Sequence, residues 1–377
     1  MRTRFIIVLL TIFTFFPAIS QELALVLQDD KFGYMNNAGD VIIPLQFEDS
    51  KSFSDGLAAI KQNDKWGYIN SSGETVIEPQ YDKIKYFNNG IALVNKDDQW
   101  GYIDKTGQPV KMPKMEKFYD FKDGVAIYRQ GDKIGLIDTK GNVVAELIYD
   151  GIKKIRNGHA KAKKGLSWGM INTKGEVVVP FEFDEIGNTY SPNGVYVSKG
   201  EVFGIYVNGD FNAIEGADKV WNFPKNSNLT YARKDKKVGF INSKGEWVIA
   251  PQFEKVRSFS NGLAPVFKDK KWGYINEKGD VVIDYQFKDA EVFSANGMAP
   301  VKEKRWGFID KTGKLIIPME YDISVKFGFL KSGGEEKGFI GNLARVKTKQ
   351  GWGFLNEKGE LLGNTWYDEA EPFVKVN

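Results

Sequence analysis

A Trp-Gly pair, or a close variant of it, returns at a nearly constant interval along the chain. Its copies are Phe32-Gly33, Trp66-Gly67, Trp100-Gly101, Ile134-Gly135, Trp168-Gly169, Phe203-Gly204, Val238-Gly239, Trp272-Gly273, Trp306-Gly307 and Trp352-Gly353. Successive glycines stand 34 or 35 residues apart, except for a last step of 46. An interval in this range, held over about ten units, marks a repeat architecture in which each unit buries its apolar face only against its neighbours. It constrains the fold far more than it constrains the task.

The second unit shows the pattern most clearly. Short apolar runs, rich in β-branched and aromatic residues, alternate with turn chemistry at Asn63-Asp64, Ser72-Gly73 and Asn89-Gly90. Each unit therefore predicts three or four strands in an antiparallel meander. No window outside the N-terminus keeps a 3.6-residue apolar period, which excludes a helical array. An alanine recurs in the inner run, at Ala24, Ala58, Ala92, Ala126, Ala160, Ala232, Ala264, Ala299 and Ala344, and Tyr196 takes its place in the divergent stretch 187–235. A small residue there implies crowded backbones, as near the axis of a β-propeller. The Trp-Gly pair reads as a large plate packed on the next unit, with glycine permitting the approach.

The phase of the repeat argues the other way. From residue 21 the chain opens on the inner run Leu23-Ala24-Leu25-Val26 and closes on Tyr367, Asp368 and Phe373. It thus reads as whole units, without the split unit that fastens many rings, and about ten units exceed the usual four to eight blades. The fold class is all-β, as tandem antiparallel meanders that are propeller-like or, alternatively, an open β-solenoid. The last unit carries an insertion at about 327–341, rich in glycine and charge.

Residues 1–20 read as a secretory signal. Arg2 and Arg4 precede an apolar stretch from Phe5 to Phe16, and Ala18-Ile19-Ser20 offers a small-x-small cleavage site. No later segment has the run of about 18 apolar residues that spans a bilayer, so no integral membrane segment is expected after cleavage. Cysteine is absent, which removes any lipid-acceptor thiol and any disulfide. The expected location is exported, either periplasmic or extracellular at the cell surface. Without Arg2 and Arg4 the 52 basic residues fall to 50 against 49 acidic ones, a net charge of +1. Lysines and acids are mixed within each unit, so the basic stripe of a nucleic-acid binder is absent. The one local excess, Lys111, Lys114 and Lys117, reads as a solvated face.

The hexapeptide Lys65-Trp66-Gly67-Tyr68-Ile69-Asn70 recurs as Lys271-Trp272-Gly273-Tyr274-Ile275-Asn276 and Arg305-Trp306-Gly307-Phe308-Ile309-Asp310. It resembles the bacterial WG (or KWG) repeat, and the resemblance covers essentially all of residues 22–377. It implies an exported bacterial repeat protein without a shared catalytic motif. The Trp-Gly-Tyr-Ile-Asn-x-x-Gly hairpin also looks locally like choline-binding cell-wall repeats, whose unit is shorter.

Catalytic chemistry is sparsely provided. The single histidine, His159, aligns with Leu57 in the inner run and lacks partners for a triad or a zinc site. No catalytic residue, metal site or cofactor is assigned. An acid closes almost every unit, at Glu48, Asp82, Glu116, Asp150, Asp184, Asp218, Glu254, Asp322 and Asp368. Such uniformity fits a turn cap better than an active site, which needs one unit to differ. Trp66, Trp100, Trp168, Trp272, Trp306 and Trp352 occupy the repeat anchor and read as core. Trp221 and Trp366 instead replace recurrently polar positions and read as exposed plates, with Tyr190, Tyr196 and Tyr206 as further contact candidates. The sequence thus points to a non-catalytic domain that binds or scaffolds an envelope protein or polysaccharide. The alternative is a carboxylate-dependent hydrolase of envelope polysaccharide.

Overall fold

The computed structural model describes residues 21–323 and 337–376. Residues 1–20, read above as a signal, and most of the 327–341 insertion lie outside the described residues. Within them the only helical element is a 3-10 turn at Leu362–Asn364; all other regular structure is antiparallel strand, in ten small sheets. No helix among the described residues is long and apolar enough to cross a membrane.

Blade 2 shows the plan. A two-residue strand, Asp49–Ser50, pairs with Ala58–Gln62, which pairs with Lys65–Ile69 and then with Thr75–Tyr81. The chain then passes into the short first strand of blade 3, Lys83–Ile84. Blade 4 lacks that short strand, and the other blades vary the plan only at their edges.

The core lies between the sheets. At the junction of blades 1 and 2, Leu23, Leu25, Tyr34, Ile43 and Phe47 of one meet Phe53, Ala58, Ile60 and Ile69 of the other. A separate cluster of this kind fills each of the ten junctions. An open stack of ten sheets has only nine. The tenth joins Trp352, Phe354, Tyr367 and Ala370 near the C-terminus to Ala24, Val26 and Met35 near the N-terminus. The molecule is therefore a closed ten-bladed β-propeller, and the solenoid alternative is set aside.

Closure also corrects the expectation of whole, unsplit units. Blade 1 takes Glu369–Ala370 and Val374–Lys375 from the C-terminal end and pairs both with Glu22–Gln28. The two-residue strands at the inner edge were too short to signal themselves in the sequence, which hid the split. The backbone N–H of Val376 donates to Gln21 O at 3.1 Å. Gly39 of blade 1 packs on Gly363 of blade 10, as Gly73 packs on Ile43 and Gly107 on Ile77 at internal junctions.

Two packing expectations change in detail. The crowding at Ala58 comes from the neighbouring blade, because the alanine faces Tyr34 and Ile43 of blade 1. Strand register also moves the counterpart of Ala58 in the divergent stretch. It is Val195, opposite Tyr206, and not Tyr196; in blade 7 it is Thr230, opposite Ile241, and not Ala232. The glycine of the Trp-Gly pair serves its own blade rather than the next. Trp272 pairs with Phe287 and Tyr274 with Ile283, so the outer strand bulges by two residues opposite Gly273. A Cβ there would lie 2.6 Å from Ile283 O. In blade 3 the outer strand is only Pro109–Val110, the bulge is missing, and Gly101 has nothing within 4 Å of an added Cβ.

The Trp-Gly-Tyr tyrosines bolt successive blades together. Their hydroxyls donate to backbone carbonyls on the way into the next blade: Tyr34 to Lys51 O at 2.8 Å, Tyr68 to Lys85 O at 2.6 Å, Tyr102 to Tyr119 O at 2.6 Å and Tyr274 to Glu291 O at 2.9 Å. Burial pushes all four phenols up, that of Tyr102 to about 12. Of the anchor tryptophans, Trp272, Trp306 and Trp352 are buried, whereas Trp66, Trp100 and Trp168 are half-buried. Lys51 lies 5.0 Å over the ring of Trp66 and Lys161 4.8 Å over that of Trp168, so cations cover these edges.

The unit-closing acids act as turn caps. Asp82 accepts from Asp97 N at 2.8 Å, Glu116 from Gly131 N at 3.0 Å, Asp150 from Gly165 N at 2.6 Å and Asp184 from Gly200 N at 2.7 Å. Asp82 and Asp150 also pair with Lys65 and Lys133, and those lysines hold both carboxyls below the ordinary range. Asp218 instead pairs with Arg233 at 2.6 Å.

Candidate functional site

The segments that follow the short inner strands turn toward the middle of the ring. In blades 1 to 5 they enclose one cavity of about 790 Å³. Its wall comes from Glu371, Pro372 and Val374 in blade 1, residues 52–54 in blade 2 and Tyr86 and Asn88 in blade 3. Residues 119–122 with Ile127 of blade 4, and Lys154 with Ile155 of blade 5, complete it.

The wall has a regular floor and an irregular lining. Phe53, Phe87, Phe121 and Ile155 hold one repeat position, are all buried, and belong to the junction cores. The residue just before each differs among the five blades of the cavity: Ser52, Tyr86, Asp120 and Lys154, with Pro372 in blade 1. A position that varies beside one that does not is where a repeat array can carry individual chemistry. Sequence reasoning missed this column. The signal lay in that contrast, and it needed the short inner strands to fix the alignment.

The groups in the cavity are held in distinct ways. Asp120 is exposed to solvent at the cavity, with neighbouring groups crowding its carboxyl. Its carboxyl is pushed above the ordinary range by desolvation, opposed by the positive charges of Lys85 and Lys154. Burial likewise pushes the Tyr86 phenol above the ordinary range, and the Glu371 charge adds to the effect. Glu371 accepts from the Ser52 hydroxyl, and its backbone N–H donates to Leu25 O at 2.8 Å, so it belongs to ring closure as well as to the cavity. Tyr119 is tied in through its backbone, its N–H reaching Tyr102 Oη at 3.1 Å and its carbonyl accepting from the same hydroxyl. Its ring is left at the cavity wall, with Lys117 5.2 Å from the centroid. Lys111, Lys114 and Lys117 are exposed.

The contact candidates named from sequence lie elsewhere and do not form one site. Tyr190 and Tyr206 pack on the core between blades 5 and 6, Tyr190 against the half-buried His159 at 5.1 Å between ring centroids. The imidazole Nδ1 of His159 sits 2.7 Å from Asn157 O, a local structural bond. Tyr196 packs on the next core and donates to Glu185 at 3.2 Å; burial, with the Glu185 charge, lifts its phenol to about 12. Neither tryptophan is the exposed plate expected. Trp221 is half-buried, tilted against Tyr231 at 4.9 Å, with Lys219 4.8 Å over it. Trp366 is half-buried in blade 10, its ring on the open side of Gly353. Among the described residues no group of three or more His, Asp or Glu side chains is placed to hold a metal ion.

No curated protein matches the chain. Solved structures with a similar course include a eukaryotic initiation factor, at 12% identity and a TM-score of 0.46, covering 79% of this chain and 95% of that one. Hsv2p of Kluyveromyces lactis follows at 9% identity and a TM-score of 0.28, covering 69% and 91%. The C-terminal WD40 domain of Sif2 gives 8% identity and a TM-score of 0.31, covering 68% and 78%. With scores this low, the propeller stands on its own pairing and its ten junctions. The model of the WG containing repeat matches residues 32–66, 66–100, 100–133, 134–165, 168–197, 239–272, 272–304 and 306–323. These stretches take in well over half of the chain, and the chain belongs to the WG-repeat family.

Proposed function

We propose that this propeller is an exported, non-catalytic binding or scaffolding domain of the bacterial cell envelope, which takes a protein or glycan ligand in its central cavity. The observation that carries the reading is the convergence of five blades, each contributing a different residue at one repeat position, on a single cavity. Pockets of about 300–1,000 Å³ with a few convergent polar groups are the usual binding sites of globular proteins. Export is supported by Arg2, Arg4, the apolar stretch Phe5 to Phe16 and the small residues before Gln21.

A hydrolase of envelope polysaccharide would need two carboxylates facing one bond, about 5–9.5 Å apart. Asp120 and Glu371 share the cavity wall, and the raised carboxyl of Asp120 is the kind of group such chemistry uses. The two carboxylates, however, stand on blades 4 and 1, with the lining of blades 2 and 3 between them. Binding without bond cleavage is therefore the better reading.

The test is affinity capture from envelope extract with the intact protein and with Tyr86→Ala/Asp120→Asn. A protein or glycan captured by the intact protein and lost with the double variant is the expected result. Capture that the variant leaves unchanged would move the site away from the cavity. Localisation is checked by fractionating cells that express the tagged protein, where retention in the cytoplasm would refute export.

A further inference from the structure

We infer that the central cavity binds a neutral oligosaccharide, with Tyr86 and Tyr119 as platforms for sugar rings and Asp120, Asn88 and Lys154 as partners for their hydroxyls. The inference deepens the function proposed above and rests on the cavity being the ligand site.

Charge is the first argument. The lining carries Asp120 and Glu371 against Lys122 and Lys154, with Lys85 also acting on Asp120, so it holds both signs and no run of one. A polyanion or a polycation, whose binding depends on the sum of many like charges, is poorly matched to such a mixed lining. The second argument is the kind of polar group. A sugar ring presents an apolar C–H face and a rim of hydroxyls that both donate and accept. Tyrosine rings match the face, and a mixed set of carboxylate, amide and ammonium groups matches the rim. The Tyr86 phenol adds a hydroxyl that can both donate and accept.

The third argument concerns the competing ligand, an extended peptide. Peptides held in grooves of β proteins commonly add a strand to a free sheet edge. The inner edges of blades 2, 3 and 5 are strands of two residues, Asp49–Ser50, Lys83–Ile84 and Gly151–Ile152, and only in blade 4 is a longer strand, Val125–Gln130, left at the edge. Four of the five blades therefore offer no length of backbone to pair with. A chain bound through side chains on five successive blades needs repeating, rigid units of its own, which an oligosaccharide has.

The experiment is titration calorimetry of the intact protein with cellohexaose, chitohexaose and mannohexaose, with polygalacturonate as the charged control, at two salt concentrations. The expected result is binding of a neutral hexasaccharide that is insensitive to salt and weakened about tenfold or more by Tyr119→Ala. Tyr119 holds the fold through its backbone, so this variant should keep the circular dichroism spectrum of the parent, and Tyr86→Ala provides a second test. Absence of binding by all three neutral probes at millimolar concentration would overturn the inference. Salt-sensitive binding of polygalacturonate alone, lost in Tyr119→Ala, would overturn the ligand class and leave the cavity as the site. Neutral binding unaltered by both tyrosine variants would overturn the cavity itself.

Discussion

The Asp368 carboxylate accepts a hydrogen bond from the backbone N–H of Asp29 at 2.9 Å, across a sequence separation of 339 residues. Asp184 makes the same cap on Gly200 at 2.7 Å, across a separation of 16. The junction that holds the chain ends is thus built like an internal one. Asp368→Ala should lower the unfolding free energy by about 1 kcal/mol, and Asp184→Ala by a similar amount. Denaturant titration measures both. A cost at Asp184 with none at Asp368 would mean that the tenth junction is open in solution.

The two-residue bulge opposite the Trp-Gly glycine gives a sharper contrast. Gly273→Ala would put a Cβ 2.6 Å from Ile283 O, and should destabilise the protein by about 1–3 kcal/mol. Gly101→Ala meets open space and should be neutral, or stabilising by up to about 1 kcal/mol through the lost chain entropy. Equal effects at the two sites, read from thermal melts, would remove the bulge as the reason for the glycine.

The bolting tyrosines set a limit at alkaline pH. Their phenols are raised above the ordinary tyrosine value of 10.0, that of Tyr102 to about 12, chiefly by burial. The protonated form is the one the fold holds, so stability is fully present below about pH 10 and is lost as pH climbs toward 12 and beyond. Phenolate absorbance and far-ultraviolet circular dichroism should therefore change together over that window. Ionisation of these tyrosines near pH 10 with the sheets intact would show that they are not buried as described.

Asp120 obeys the same sign at the other end of the scale. Its folded carboxyl lies above the ordinary value because of desolvation, so its contribution is fully present at low pH and is lost as pH rises through the folded value. Asp120→Asn removes a charge that the cavity disfavours, and should stabilise the protein at pH 7 relative to the parent while leaving the two alike near pH 3. A variant less stable than the parent at pH 7 would show that Lys85 and Lys154 outweigh the desolvation.

Much of the propeller was legible because it is written about ten times over. The Trp-Gly interval, the turn residues and the repeated Ala58 position each gain meaning from their copies. Closure was not legible, since Glu369–Ala370 and Val374–Lys375 are two residues long and carry no strand pattern of their own. The cavity was missed for the opposite reason. Tyr86, Asp120 and Lys154 share a position without sharing a chemistry, and a search for repetition passes over them. Trp221 and Trp366 attracted notice because they break the pattern, and both are half-buried against neighbours that only the fold supplies, Tyr231 and Gly353.

Ten equivalent joints around a ring leave none of them privileged. With Val376 N and Gln21 O already in hydrogen-bond contact, a short linker could join residue 376 to residue 21 in a chain made without residues 1–20. The chain could then be reopened in any turn between blades, giving a family of circular permutants that share one shape. The order in which the blades are translated would change, while the set of blades surrounding Asp120 would stay the same.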